Sequence, residues 1–130
     1  MKFMEVVSVG LGGFLGTLLR YVVGVVCQSA TGASGFPIGT LIVNALGCFL
    51  MGVLQGAASK AGWSREIVIV LGVGVLGGFT TFSAFGWDWL RLLQAHKQGV
   101  AIVYVLLTLI LGFFLVYAGV MLGDRMASAR

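Results

Sequence analysis

A chain of 130 residues that is 59% hydrophobic and only 9% charged cannot wet the surface of a soluble fold, since a typical soluble domain carries about 25% charged residues. Eight Lys and Arg against four Asp and Glu give a net charge of +4, but the cations stand singly and form no run that could track a phosphate backbone, so they read as membrane anchors and argue against nucleic acid as a partner. Cys27 and Cys48 lie in or beside apolar runs without CxxC spacing or clustered His, as buried free thiols do.

Crossing a hydrocarbon core takes roughly 20 helical residues, and four stretches are long enough. The first covers about residues 4–27 and is interrupted only by Arg20. The opening Met1-Lys2-Phe3-Met4-Glu5 lacks the pattern of a removable signal peptide, so this stretch is expected to stay in the mature protein. Residues 28–35 read as a turn-rich linker of small and polar residues, and Pro37 then sits where a first helical turn tolerates a missing N–H. The second span is expected at about 36–58. Ser59 to Arg65 forms a short hydrophilic loop with an interfacial Trp63, and Ser64 is placed to cap the third helix. The third span is expected at 66–94 and the last at about 100–122, making residues 1–130 a single transmembrane domain.

The third span differs from the others. Its unbroken apolar run, Ile67 to Phe79, is about 13 residues or roughly 20 Å as a helix, too short to cross. The chain must therefore carry Thr80-Thr81-Phe82-Ser83-Ala84-Phe85-Gly86 inside the membrane, just after Gly72, Gly74, Gly77 and Gly78. Unpaired backbone groups cost several kcal/mol in lipid, so irregular backbone at that depth needs protein or water around it. The expectation is an all-α membrane protein of four transmembrane helices whose third is broken and faces the bundle interior.

Gly12/Gly16, Gly52/Gly56 and Gly119/Gly123 form GxxxG pairs suited to close helix packing. No internal repeat appears beyond a faint echo of Gly12-Gly13-Phe14 in Gly77-Gly78-Phe79, so two-fold symmetry requires a second subunit. Near the span ends, Lys2, Lys60, Arg65, Arg125 and Arg130 fall on one side against Arg91, Lys97 and, counted generously, Arg20 on the other. That is a mild bias toward an N-terminus inside.

Glu5, Glu66, Asp88 and Asp124 all sit near span ends, and the single His96 follows the third span. A proton-coupled exchanger commonly carries its proton on an intramembrane carboxylate or His; by position none is offered. Ligands for a metal centre and the base and acid of a hydrolase are equally missing, so no enzyme is expected. The spans do hold neutral donors: Thr40 and Asn44 in the second, Thr80, Thr81 and Ser83 in the third, Tyr104 and Thr108 in the fourth. Thr40/Asn44 and Tyr104/Thr108 are spaced i, i+4 and share a helix face. Such a line can replace part of an anion's hydration shell without holding it too tightly, although any one Ser or Thr can equally satisfy itself on a helix carbonyl. Asn44 is costlier to leave unpaired. Phe79, Phe82 and Phe85 recur every three residues. Their positive ring edges suit a dehydrated anion, while a core or lipid-facing stripe would have the same spacing.

The run Gly77-Gly78-Phe79-Thr80-Thr81-Phe82-Ser83-Ala84-Phe85 closely resembles the GG-x-TTFS-x-F signature of the Fluc (CrcB) fluoride channels. Gly39-Thr40-Leu41-Ile42-Val43-Asn44 is similar to that family's second-span motif, and Gly16-Thr17-Leu18-Leu19-Arg20-Tyr21 to its first-span Gly-x-x-x-Arg-aromatic element. The likeness covers essentially the whole chain. It implies an antiparallel, dual-topology homodimer in the bilayer with two fluoride pores and a structural Na⁺ at the dimer interface. Phe82 and Phe85 would be the pore phenylalanines, with Asn44 a donor beside them and Ser83 and Thr81 close by. The backbone carbonyls of Gly77 and Thr80 from both subunits would hold the Na⁺, Arg20 would stand near a vestibule, and Tyr104 and Thr108 would continue the polar track. The chain departs from the family at Gly112, one turn beyond Thr108, and at Gly86, where hydroxyl residues are usual.

The resemblance further implies a passive channel exporting F⁻ from the cytoplasm through the plasma membrane, expected to be a bacterial inner membrane. A small four-helix exporter of cationic drugs is the alternative, and its missing intramembrane carboxylate discriminates. A non-transporting assembly factor would leave Asn44 and the polar break unexplained.

Overall fold

A computed structural model describes residues 3–31 and 35–129, and every regular element among them is helical. In chain order these are α1 (Phe3–Thr31), α2 (Ile38–Ala61), α3 (Arg65–Ile69), a π-helical segment Val70–Leu76, the single turn α4 (Gly77–Phe79), α5 (Phe82–Gln94) and α6 (Gln98–Ser128). Four stretches, Phe3–Cys27, Ile38–Ala61, Arg65–Gln94 and Gln98–Ser128, are long and apolar enough to cross a membrane.

The helices outrun the apolar runs that announce them. α1 continues to Thr31, through the first half of the expected linker, and α6 covers 98–128 against an expected 100–122. Hydrophobicity marks the stretch that sits in hydrocarbon, whereas a helix ends only where a residue stops it. α2 shows such a stop: Gly62 takes a left-handed φ of 63° just after Ala61. Residues 32–34 of the linker, and Lys2 and Arg130 of the cation count, lie outside the described residues. Ser64 caps α3 as expected, its Oγ accepting from the Ile67 N–H at 3.4 Å.

Two pairs of parallel helices make up the bundle, as alternate spans of a serpentine chain must be. In the α2–α6 pair, a Cβ on Gly52 or Gly56 would collide with the carbonyl of Val116 or Val120, and one on Gly119 or Gly123 with that of Phe49 or Val53. The same relation joins α1 to the third span: a Cβ on Gly12 would lie 2.9 Å from the Val70 carbonyl, and one on Gly16 would strike that of Val75. All three GxxxG pairs thus serve backbone-to-backbone packing. Cys27 and Cys48 form no disulfide, and both are half-buried in the single chain where fully buried thiols were expected.

The π-helical turn Val70–Leu76 is a feature composition did not disclose. Its wider i→i+5 winding is rare and frequently found at functional sites. Here it holds Gly72 under the α2 side chains of Leu54 and Met51 and Gly74 against the α1 backbone at Val9 and Gly12. The third span therefore reaches its polar segment pinned on both sides.

Candidate functional site

Helical backbone stops at Phe79 and resumes at Phe82. Between them Thr80 (φ −78°, ψ 158°) and Thr81 (φ −152°, ψ 120°) are extended. In water the freed backbone groups would turn to solvent; here the Thr81 N–H and carbonyl and the Ala84 N–H find side chains. Asn44, on α2, grips the Thr81 backbone on both sides of its Cα. Its Oδ1 accepts from the Thr81 N–H at 2.8 Å, and its Nδ2 donates to the Thr81 carbonyl at 3.0 Å. Thr81 Oγ1 in turn caps α5, accepting from the Ala84 N–H at 3.2 Å, and lies 3.2 Å from Ser83 Oγ. Gly47, one turn further along α2, leaves the room that the Thr80 methyl fills.

These bonds have a consequence for two carbonyls. In an unbroken α-helix the Gly77 carbonyl would receive the N–H of Thr81, and the Thr80 carbonyl that of Ala84. Both donors are diverted, the first to Asn44 and the second to Thr81 Oγ1. Gly77 and Thr80 are thus among the carbonyls that the break releases from the helical ladder, together with those of Gly78 and Phe79. Neutral oxygens of this kind suit a hard cation. No cluster of His, Cys, Asp or Glu able to hold a metal occurs among the described residues.

A groove of about 440 Å³ runs beside the break, between α2, α5 and α6, and is lined by Asn44, Thr80, Thr81, Phe82, Phe85, Thr108 and Gly112 among others. The sequence-selected residues Asn44, Thr81, Phe82, Phe85 and Thr108 are therefore brought to one place. Phe82 is 83% exposed in the single chain, with its ring centroid 5.6 Å from that of Phe85. Phe79, the third of the triplet, is instead buried under α2. Tyr104 lies behind the groove: its fully buried ring packs 5.4 Å from Phe85 and edge-on to Phe36 at 5.7 Å. Thr108 donates its hydroxyl proton to the Tyr104 carbonyl at 2.8 Å, and Thr80 donates to that of Leu76 at 3.0 Å. In this conformation neither hydroxyl offers a proton to the groove, and Asn44 has one N–H left beyond the Thr81 clamp.

Arg20 is not part of this groove. It lines a second cleft of about 530 Å³, together with Thr17, Tyr21, Phe36, Thr40, Asp88 and Arg91. There the structure adds what position alone did not show. Asp88, read by position as a span-end carboxylate, is only 9% exposed. Its Oδ2 accepts the Thr40 hydroxyl at 2.6 Å and its Oδ1 lies 3.2 Å from the Arg91 guanidinium. Thr40 is therefore bound to a carboxylate across 48 positions of chain. The only sequence signal for this was Asp88 three residues before Arg91, a common surface spacing.

The sequence pattern described as "CrcB-like protein, Camphor Resistance (CrcB)" matches residues 7–120. The chain belongs to the CrcB family. Curated relatives of this CrcB chain include a fluoride-specific ion channel FluC of Thermus thermophilus, 49% identical over 118 residues, which cover 91% of this chain and 94% of that one. The FluC proteins of Oceanobacillus iheyensis (44% over 119 residues, 91% and 90% covered) and Helicobacter acinonychis (46% over 110 residues, 84% and 87% covered) are also similar. With four membrane-length apolar stretches, this CrcB chain is a multi-pass membrane protein.

Proposed function

We propose that this chain is one half of a passive, fluoride-selective channel that releases F⁻ from the cytoplasm and so relieves fluoride toxicity. The carrying observation is its 44–49% identity to fluoride-specific channels across about nine-tenths of its length. A channel family is not an enzyme family, and no reaction is assigned. HF crosses membranes neutral and dissociates in a less acidic cytoplasm. A negative-inside potential then drives the trapped anion out at about 2.3 kcal/mol per charge per 100 mV, with no coupled energy source.

The proposed path uses the groove beside the break. Phe82 and Phe85 would present positive ring edges to the ion, and the remaining Asn44 N–H would donate to it. Thr81, Ser83, Tyr104 and Thr108 would form the surrounding polar track, with Arg20 drawing anions to the neighbouring cleft. Two copies inserted in opposite senses, in a plasma membrane of bacterial inner-membrane type, would complete the pore. Support comes from Phe82 and Gly77, which stand uncovered in the single chain. The released carbonyls of Gly77 and Thr80 from both copies would hold a structural Na⁺, whose chemistry is that of a fixed central positive charge. Asp88 does not revive a proton-coupled drug exporter, because Thr40 and Arg91 already engage its carboxylate.

Purified protein in liposomes loaded with fluoride and chloride, followed with an electrode for each ion, tests the reading. Fast fluoride release with chloride retained is expected. Equal release of both, or of neither, overturns it.

A further inference from the structure

A cleft that gathers anions should not carry a bare carboxylate, yet Asp88 lines the same cleft as Arg20. Resting on the fluoride-channel reading, we propose that Arg91 is a charge-compensating residue for anion admission: its guanidinium cancels Asp88 and leaves the cleft net positive. Both carboxylate oxygens are engaged, one by the Thr40 hydroxyl at 2.6 Å and the other by Arg91 at 3.2 Å. Asp88 is held within the cleft wall, its side chain 12% exposed.

Arg91 is a different case, with its side chain 56% exposed. With its own end open to solvent, Arg91 both compensates the buried Asp88 carboxylate and shapes the field of the cleft. Clefts with low-dielectric walls focus that field on a passing ion. A Cβ built on Gly35, in the cleft wall, would come within 2.6 Å of Lys97 Nζ, which puts a further cation at the rim. With Arg91 in place, Arg20 and Lys97 remain unopposed; without it, the Asp88 charge offsets one of them. Thr40 of the cleft and Asn44 of the groove are one α2 turn apart, so the compensated charge acts next to the proposed ion path.

Fluoride release from liposomes would be compared for the full-length protein, Arg91→Gln, Arg91→Lys and Arg91→Gln with Asp88→Asn. At low ionic strength Arg91→Gln should be slower by about tenfold, the low end of what charge steering delivers. Arg91→Lys should stay within about threefold, since the point charge is kept. The double variant should recover most of the lost rate, and the Arg91→Gln deficit should shrink as inert salt rises to about 0.1 M, where the screening length is about 10 Å. Arg91→Gln at the unmodified rate, or a double variant as slow as Arg91→Gln at every ionic strength, would overturn the inference. Unmodified protein that releases no fluoride would instead overturn the channel reading and the inference with it.

Discussion

Replacing Asn44 with Ala removes the clamp on the Thr81 backbone. Two hydrogen bonds of 2.8 and 3.0 Å disappear. Each leaves a backbone group unpaired in the membrane interior at about 1–3 kcal/mol, or about 2–6 kcal/mol together. If the Thr81 N–H swings back to the Gly77 carbonyl in helical register, one group is satisfied again and the net cost falls to about 1–3 kcal/mol. The extended Thr80–Thr81 geometry is then lost. Asn44→Asp separates the two bonds, because a carboxylate can still accept from the Thr81 N–H but meets the Thr81 carbonyl with an oxygen. Hydrogen exchange over residues 80–85 and thermal unfolding in detergent read both effects. Asn44→Ala should speed exchange at Thr81 and lower the melting temperature, and Asn44→Asp should lower stability while keeping the Thr81 amide the more protected of the two variants. Exchange and melting unchanged in both would show that Asn44 does not hold the break.

Other substitutions probe the remaining features. Phe82→Ile should leave the protein folded and its elution on size exclusion unchanged, while fluoride efflux should fall at least about tenfold, equivalent to about 1.4 kcal/mol. Gly47→Ala should drive a methyl into Thr80 Cγ2 and destabilise the fold by about 1–3 kcal/mol, while adding Thr80→Ser, which removes that methyl, should restore most of the loss in a double-mutant cycle of detergent melts. Gly16→Val should be worse, because the atoms it meets are the backbone of Val75 and Phe79; loss of folded protein on size exclusion is the expected result. Gly112→Ser should be tolerated, as its Cβ would meet only Cys48 Sγ at 3.5 Å, and efflux at or above the unmodified rate would show the added hydroxyl fits the polar track.

Much of the fold is legible in the residues alone, for identifiable reasons. Four apolar stretches mark four spans because hydrocarbon thickness sets a length that chemistry must match. The short run ending at Phe79 located Thr80 and Thr81, where helical backbone gives way, and the GxxxG pairs named the helix faces that touch. What stayed hidden depends on relations that no local pattern contains. Asp88 and Thr40 lie far apart in sequence, and only the fold joins them. Glycines at 72 and 74 permit a π turn without dictating one. Hydroxyl spacing cannot tell whether Thr108 and Thr80 point a proton at an ion or at their own helix, and here both serve the helix. Asn44 was legible as a residue needing partners, but those partners, the Thr81 N–H and carbonyl, appear only once the third span is docked on α2.

The central claim is that the groove beside Thr80 and Thr81 passes fluoride in preference to other halides. Single-protein recordings in a planar bilayer, with fluoride on one side and chloride on the other, measure that preference as a reversal potential. A reversal that tracks the fluoride gradient and ignores chloride is the predicted result, and Phe82→Ile should abolish the current. A reversal set by chloride, or a fluoride current indifferent to Phe82, would contradict it.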